Sequence, residues 1–353
     1  MSNNRIDILD GFRVIAIFIV MLFHFYSLYI GLYNYNFDSS IFKFGYLGVE
    51  FFFMISGFVI FISLDNSKNF IEFIKKRYMR LMPAMLICSF LTFIVFNIID
   101  DQSFYIQAKE YKNFLFSNTF LTPSLPNKVL NTNLSYTDYS YWSLWIEVIF
   151  YSLISSLYFL DKKRVILNYS IISISGTLLW YFFGTEENVL QLSIYSTINK
   201  ILNFIPFINF LIWFLIGVII SKLYQNKKSI PYQIYLLFLF VLTFLTSREI
   251  ELKYFTVISA VIWFVFLFKT NWLNFLGRKI LFKLGRSSYS VYLIHQMVGV
   301  LTILKLSPYF GNYNWIIPII LIILFFAFGV FSFKYLEKPL GSMVAKILFK
   351  KSK

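Results

Sequence analysis

The stretch that decides the fold is Ile8-Leu-Asp10-Gly-Phe-Arg13-Val-Ile-Ala-Ile-Phe-Ile-Val-Met-Leu-Phe-His24-Phe-Tyr26. It is long enough to cross a hydrocarbon layer of ~30 Å as an α-helix. Yet it carries Asp10 and Arg13 near its start and His24 deep inside. A soluble core helix of this length keeps a polar face, and a plain membrane anchor has no use for an imidazole. An ionisable side chain in hydrocarbon costs roughly 2.5–3.5 kcal/mol on insertion scales, so each one asks for a reason. No small-residue cleavage site follows, and Arg13 and His24 interrupt the run, so a retained span is expected rather than a signal peptide.

The rest of the chain has the same character. Of its 353 residues, 58% are hydrophobic and 14% charged, and the mean hydropathy is +0.69. These values exclude an ordinary soluble globule. Apolar runs fall at 11–32, 45–64, 82–99, 140–160, 165–183, 201–221, 231–247, 254–270, 288–307 and 314–334. The expected fold is an all-α integral membrane protein of about ten transmembrane helices. A single membrane-embedded domain over 1–353 is expected, with no appended soluble domain. The one cysteine, Cys88, sits in an apolar run and reads as a small buried hydrophobe.

The formal charge of +15 raises nucleic acid as a partner, but the placement of the charges argues against it. Twenty-three of the 32 Lys and Arg residues fall in the termini and the connections on their side, eight on the opposite side. That asymmetry is the ordinary topogenic signal, and it predicts both termini in the cytoplasm. One connection, roughly 100–139, is long and faces outside. It holds Pro123, Pro126 and several Asn and Ser residues without a strong helical period. A lid, a substrate platform and a merely variable surface all fit it.

Arg13 and His24 are eleven residues apart, which puts them on one helix face about 16 Å apart along the axis. Ala16 and Val20 lie between them, predicting a shallow groove. Arg13 also reads as a snorkelling anchor paired with Asp10. Glu50 in Gly48-Val-Glu50-Phe-Phe-Phe and Glu147 in Trp142-Ser-Leu-Trp-Ile-Glu147 enter from outside to a depth similar to that of His24. A carboxylate beside an imidazole fixes its tautomer and supports its positive charge; separate interhelical hydrogen bonds are the other reading. Arg77 and Arg80 are i, i+3 on a predicted short helix ending near Pro83, a spacing that lets both reach one phosphate. His295 is expected about five residues into span nine, on the cytoplasmic side. No HExxH, Gly-rich phosphate loop or nucleophile elbow occurs, and two histidines with one cysteine offer no metal site.

Taken in order, these residues resemble the acyltransferase-3 family of integral membrane acyltransferases. Leu9-Asp-Gly-Phe-Arg13 with His24 resembles its opening signature, and Gly48-Val-Glu50-Phe-Phe-Phe with Ser56-Gly57 its second. Arg77-Tyr-Met-Arg80-Leu-Met-Pro83 is similar to its cytoplasmic arginine motif, and Trp142-Ser-Leu with Glu147 and Phe150-Tyr151 to its fourth-span motif. Ser288-Tyr-Ser-Val-Tyr-Leu-Ile-His295 and Glu337-Lys-Pro339 are similar to the closing motifs. Two departures stand out: Val14 where a small residue is common, and Glu50 where aspartate is more frequent.

The resemblance implies transfer of an acyl group, usually acetyl, from cytoplasmic acyl-CoA to a hydroxyl of an extracytoplasmic or lipid-linked saccharide. It implies a multi-pass protein of the bacterial cytoplasmic membrane, in contact with lipid and with possible polysaccharide-assembly proteins. His24, Glu50 and Glu147 would be catalytic, His24 as base or transient acyl carrier. Arg13, Arg77, Arg80 and His295 would bind acetyl-CoA, whose pantetheine arm would run up the Arg13-to-His24 groove. The competing readings are a transporter or flippase of a lipid-linked glycan, and a non-catalytic subunit of a polysaccharide assembly complex.

Overall fold

The computed structural model describes residues 6–184 and 195–348. Arg5, Lys350, Lys351 and Lys353, which enter the charge count above, lie outside the described residues. Within them every regular element is helical. In chain order these are α1 Asp7–Phe23, α2 Gly48–Leu64, α3 Phe70–Ile99, α4 Tyr111–Ser117, α5 Ser124–Leu130, α6 Trp142–Leu160 and α7 Val165–Phe183. Then come α8 Tyr195–Phe204, α9 Leu211–Gln225, α10 Ile230–Thr246, α11 Ile250–Phe268, α12 Lys279–Phe310, α13 Ile316–Ser332 and α14 Lys338–Leu348.

Nine helical stretches among the described residues are long and apolar enough to cross a membrane. A tenth apolar helix, α10, has 17 residues and so reaches about 25 Å. The fold is therefore the expected all-α membrane fold, with nine full-length spans and one shorter apolar helix in the place of the seventh expected run.

Three boundaries differ from the sequence expectation. The first span leaves α-helical geometry at His24, where Phe23 gives way to a π-helical turn, His24–Leu28. The third starts at Phe70 rather than 82 and runs straight through Pro83. Arg77 and Arg80 therefore sit within a 30-residue helix, where a short helix ending at Pro83 is expected. The charged first turns lie outside the apolar runs yet continue the same helices, and neighbouring groups in a membrane protein can meet the carbonyl that a mid-helix proline frees. The ninth likewise begins at Lys279, nine residues before its apolar run.

The chain divides into two compact units: Met1–Val49 with Ile74–Trp145 and Phe275–Lys353, and Glu50–Phe73 with Ile146–Asn274. In the first, α12 packs along both α1 and α13. Between membrane helices apolar surface gains little over lipid, so close packing must hold them. Gly285 of α12 provides it: a Cβ there would lie 2.2 Å from the Asp10 carbonyl oxygen. Ile17, Val20, Met21 and Phe25 of the first span are fully buried, as are Val291, Leu293, Val300 and Leu301 of α12.

In the second unit α2 and α9 cross at Gly57 and Gly217. A Cβ on Gly57 would lie 2.1 Å from the Phe214 carbonyl, and one on Gly217 2.0 Å from that of Met54. Phe214 stacks on Phe53 and Phe150, with ring centroids 4.6 and 4.2 Å apart.

The long connection has its own structure. Asp100 accepts from the Phe104 amide at 2.8 Å, and Asn113 holds Gln107 O and the Ser135 amide at 2.9 Å each. Asn127 spans Leu134 from both ends at 2.8 Å. These side chains supply the turns that a helical period would otherwise signal. Tyr105 and Ala108 pack with Phe96, Met297 and Leu301, so the connection is docked on α12.

Candidate active site

The π-helical turn fits one extra residue into its circuit, a distortion that recurs at functional sites. It starts at His24, whose ring is half-buried. Its Nδ1 is 2.9 Å from the Val20 carbonyl and 3.1 Å from Nε2 of His295. The two rings meet edge to face, centroids 4.9 Å apart. His295 is completely buried, with Nδ1 2.7 Å from the Tyr292 carbonyl.

These contacts assign the tautomers through the hydrogen-bond network. A carbonyl only accepts, so His295 Nδ1 carries a proton and its Nε2 offers a lone pair. That lone pair and the Val20 carbonyl both face His24 Nδ1, which therefore carries the donated proton. Nε2 of His24 is left with a lone pair and takes no hydrogen bond among the described residues. A neutral imidazole whose outward nitrogen is unprotonated is a base or nucleophile in its reactive form.

Several expected residues stand elsewhere than expected. His295 lies sixteen residues past the start of α12, roughly 24 Å along it, and faces His24 rather than the helix start near the arginines. The groove predicted beside Ala16 and Val20 is filled. Both are fully buried, and a Cβ on Gly48 would come within 2.6 Å of Ala16 O and 2.7 Å of Val20 Cγ2. Gly45 and Gly48 let the next segment press onto that face, which leaves no open groove beside Ala16 and Val20 among the described residues. Where a carboxylate is expected on the His24 ring, Nδ1 meets Val20 O and a second imidazole.

Arg13 takes the anchor geometry, its Nη1 2.6 Å from Asp10 Oδ1. Arg77 is half-buried and Arg80 exposed, three residues apart on α3. Glu50 and Glu147 lie in the second unit. Glu147 Oε1 accepts from Ser56 Oγ at 2.7 Å and from the Tyr151 hydroxyl at 2.5 Å. Glu50 is buried, and its Oε2 makes no hydrogen bond among the described residues. In the closing motif, Glu337 Oε1 accepts from Ser290 at 2.5 Å and from Ser332 at 2.9 Å, tying the turn Phe333–Glu337 to α12.

Sequence reasoning passed over the neighbours of His295. Gln296 Nε2 donates to the Tyr29 hydroxyl at 2.8 Å. Asp138, at the end of the long connection, is fully buried and accepts from the Met297 amide at 2.9 Å. Burial pushes its carboxyl up to about 6, against the hydrogen bonds from Ser140 and Met297 that pull it down. In sequence its only signal is an acidic residue just ahead of a span.

The described residues form an all-helical fold with nine helical stretches long and apolar enough to cross a membrane, and within it two imidazoles meet at 3.1 Å. Residues 6–334 match the acyltransferase-3 family, described as an acyltransferase domain; the chain belongs to that family. An O-acetyl transferase of Shigella phage Sf6 is 31% identical over 147 residues, which are 40% of this chain and 43% of that protein. The chain thus matches less than half of that relative's length. No solved structure matches it.

Proposed function

We propose that the chain is a multi-pass O-acetyltransferase of the bacterial cytoplasmic membrane, with both termini in the cytoplasm. It moves an acetyl group from cytoplasmic acetyl-CoA to a hydroxyl of an extracytoplasmic or lipid-linked saccharide. Family membership and the phage relative support the reaction class. The observation that carries the mechanism is the tautomer of His24, with Nδ1–H held by Val20 O and His295 Nε2 and the Nε2 lone pair left over.

Two routes start from that lone pair. As a base, Nε2 takes the acceptor's hydroxyl proton while the oxygen attacks the thioester carbonyl; the C–S bond breaks and CoA sulfur leaves with that proton. As a carrier, Nε2 attacks the carbonyl itself and the C–S bond breaks, CoA leaving as the thiolate; the acceptor oxygen then displaces the imidazole, and its hydroxyl proton goes to the thiolate. In both, positive charge develops on the ring, and Val20 O and His295 Nε2 stabilise it through the Nδ1 proton. Arg77 and Arg80 are the donors for the anionic nucleotide end of CoA, as paired guanidinium groups suit phosphate.

His24→Ala should abolish release of CoA from labelled acetyl-CoA in membranes, and glycan acetylation with it, while the protein remains inserted at wild-type abundance. Wild-type acetylation by that variant would overturn the reading. An acetyl group trapped on the His24 peptide in the absence of acceptor separates carrier from base.

A further inference from the structure

Asp138 sits outside the first-span machinery, in a connection where an aspartate would ordinarily be solvated. Instead it is fully buried, and both its oxygens are engaged. Oδ1 accepts from the Ser140 amide at 2.9 Å and from Ser140 Oγ at 2.7 Å; Oδ2 accepts from the amide of Met297 at 2.9 Å. Met297 is interior to α12. A mid-helix amide is ordinarily spent on the carbonyl four residues back, so a carboxylate on it marks a turn that the connection has taken hold of.

The other end of the same turn is held as well. The Tyr292 hydroxyl donates to Ser140 O at 3.0 Å and lies 2.7 Å from Ser143 Oγ. The Tyr292 carbonyl is 3.3 Å from Ser140 Oγ while also receiving His295 Nδ1–H. Asp138 and Ser140 therefore grip α12 at Tyr292 and at Met297. His295 is between those two points.

We infer that Asp138 is a positioning residue for the transfer reaction: through Ser140, Tyr292 and Met297 it fixes the ring of His295, which in turn holds His24 Nδ1–H. This rests on the proposed role of His24. A misplacement of about 1 Å at a reacting group costs on the order of 100-fold in rate, so losing the grip should show in turnover rather than in donor binding.

The test measures initial rates of CoA thiol release from acetyl-CoA, using membranes that contain the native acceptor. Variants Asp138→Asn, Ser140→Ala, His295→Ala, Asp138→Asn/His295→Ala and His24→Ala are compared at equal protein level. Asp138→Asn keeps the shape but turns an NH2 or loses an acceptor at one of its two clients. It should lower kcat roughly 10- to 100-fold, with KM for acetyl-CoA within about twofold of wild type. Ser140→Ala should move in the same direction by less, and it stands in if Asp138→Asn does not accumulate. Because Asp138 acts through His295, the double variant should be no slower than His295→Ala alone.

A second readout is independent of turnover. The chain has two histidines, so diethylpyrocarbonate followed by mass spectrometry of a protein bearing no histidine tag reports each separately. The buried His295 should become more reactive in Asp138→Asn. Wild-type kcat in Asp138→Asn and Ser140→Ala, full additivity with His295→Ala, or unchanged His295 reactivity would each overturn the inference. Full activity in His24→Ala would instead overturn the reading of the site on which it rests.

Discussion

At the scale of single residues, the site is a relay of hydrogen bonds ending on one lone pair. His24 is visible in sequence because an imidazole in an apolar run of this length has few innocent explanations. Asp138 is invisible there because an aspartate in a polar connection is ordinary, and only docking of the connection on α12 buries it. That burial has a measurable consequence. With its carboxyl pushed up to about 6, Asp138 is protonated in both folded and unfolded chains below about pH 4. Between about pH 4 and 6 the folded chain keeps a proton that the unfolded chain has lost, so stability falls as pH rises, by about 3 kcal/mol at most, and levels off above. Tm measured in detergent against pH, wild type minus Asp138→Asn, should decline through that window; a flat difference would contradict it.

At the scale of elements, the apolar runs located the spans, and the glycines and charged turns determined how they differ from plain cylinders. His295 is misplaced by depth counting because α12 takes in Lys279, Lys283 and Arg286 before its apolar run begins. The groove beside Ala16 and Val20 looks open on an isolated helix and is closed by a segment that Gly45 and Gly48 allow in. The spacing Gly45-Tyr-Leu-Gly48 is the sequence trace of that contact, the small residues that let membrane backbones approach. The crossing of α2 and α9 is equally demanding. Gly217→Ala places a methyl 2.0 Å from the Met54 carbonyl, so the helices must separate, at a cost of about 1–3 kcal/mol. Thermal unfolding in detergent should show a lowered Tm, whereas Gly31→Ala, with nothing within 4 Å of the new carbon, should leave it in place.

At the scale of the whole molecule, the distribution of Lys and Arg predicts which ends face the cytoplasm. Cys88 is fully buried, so added cysteines can be read against it. A membrane-impermeant maleimide applied to intact cells should label Lys128→Cys in the long connection and spare Lys346→Cys in α14 until the cells are opened. The reverse pattern would invert the proposed orientation. The class of fold, the approximate places of the spans and the candidacy of His24 were legible from composition and spacing. The partnership of His24 with His295 was not, because it joins residues 271 positions apart and no local pattern encodes it. The grip of Asp138 and Ser140 on α12 also sets a rule for exchanging parts between relatives. On the inferred role of Asp138, a chimera joined ahead of it should carry a foreign connection and still seat the imidazole pair. A junction placed after Ser140 imports a foreign clamp along with the foreign loop, and any change in acceptor preference it brings would be confounded with a change in the catalyst itself.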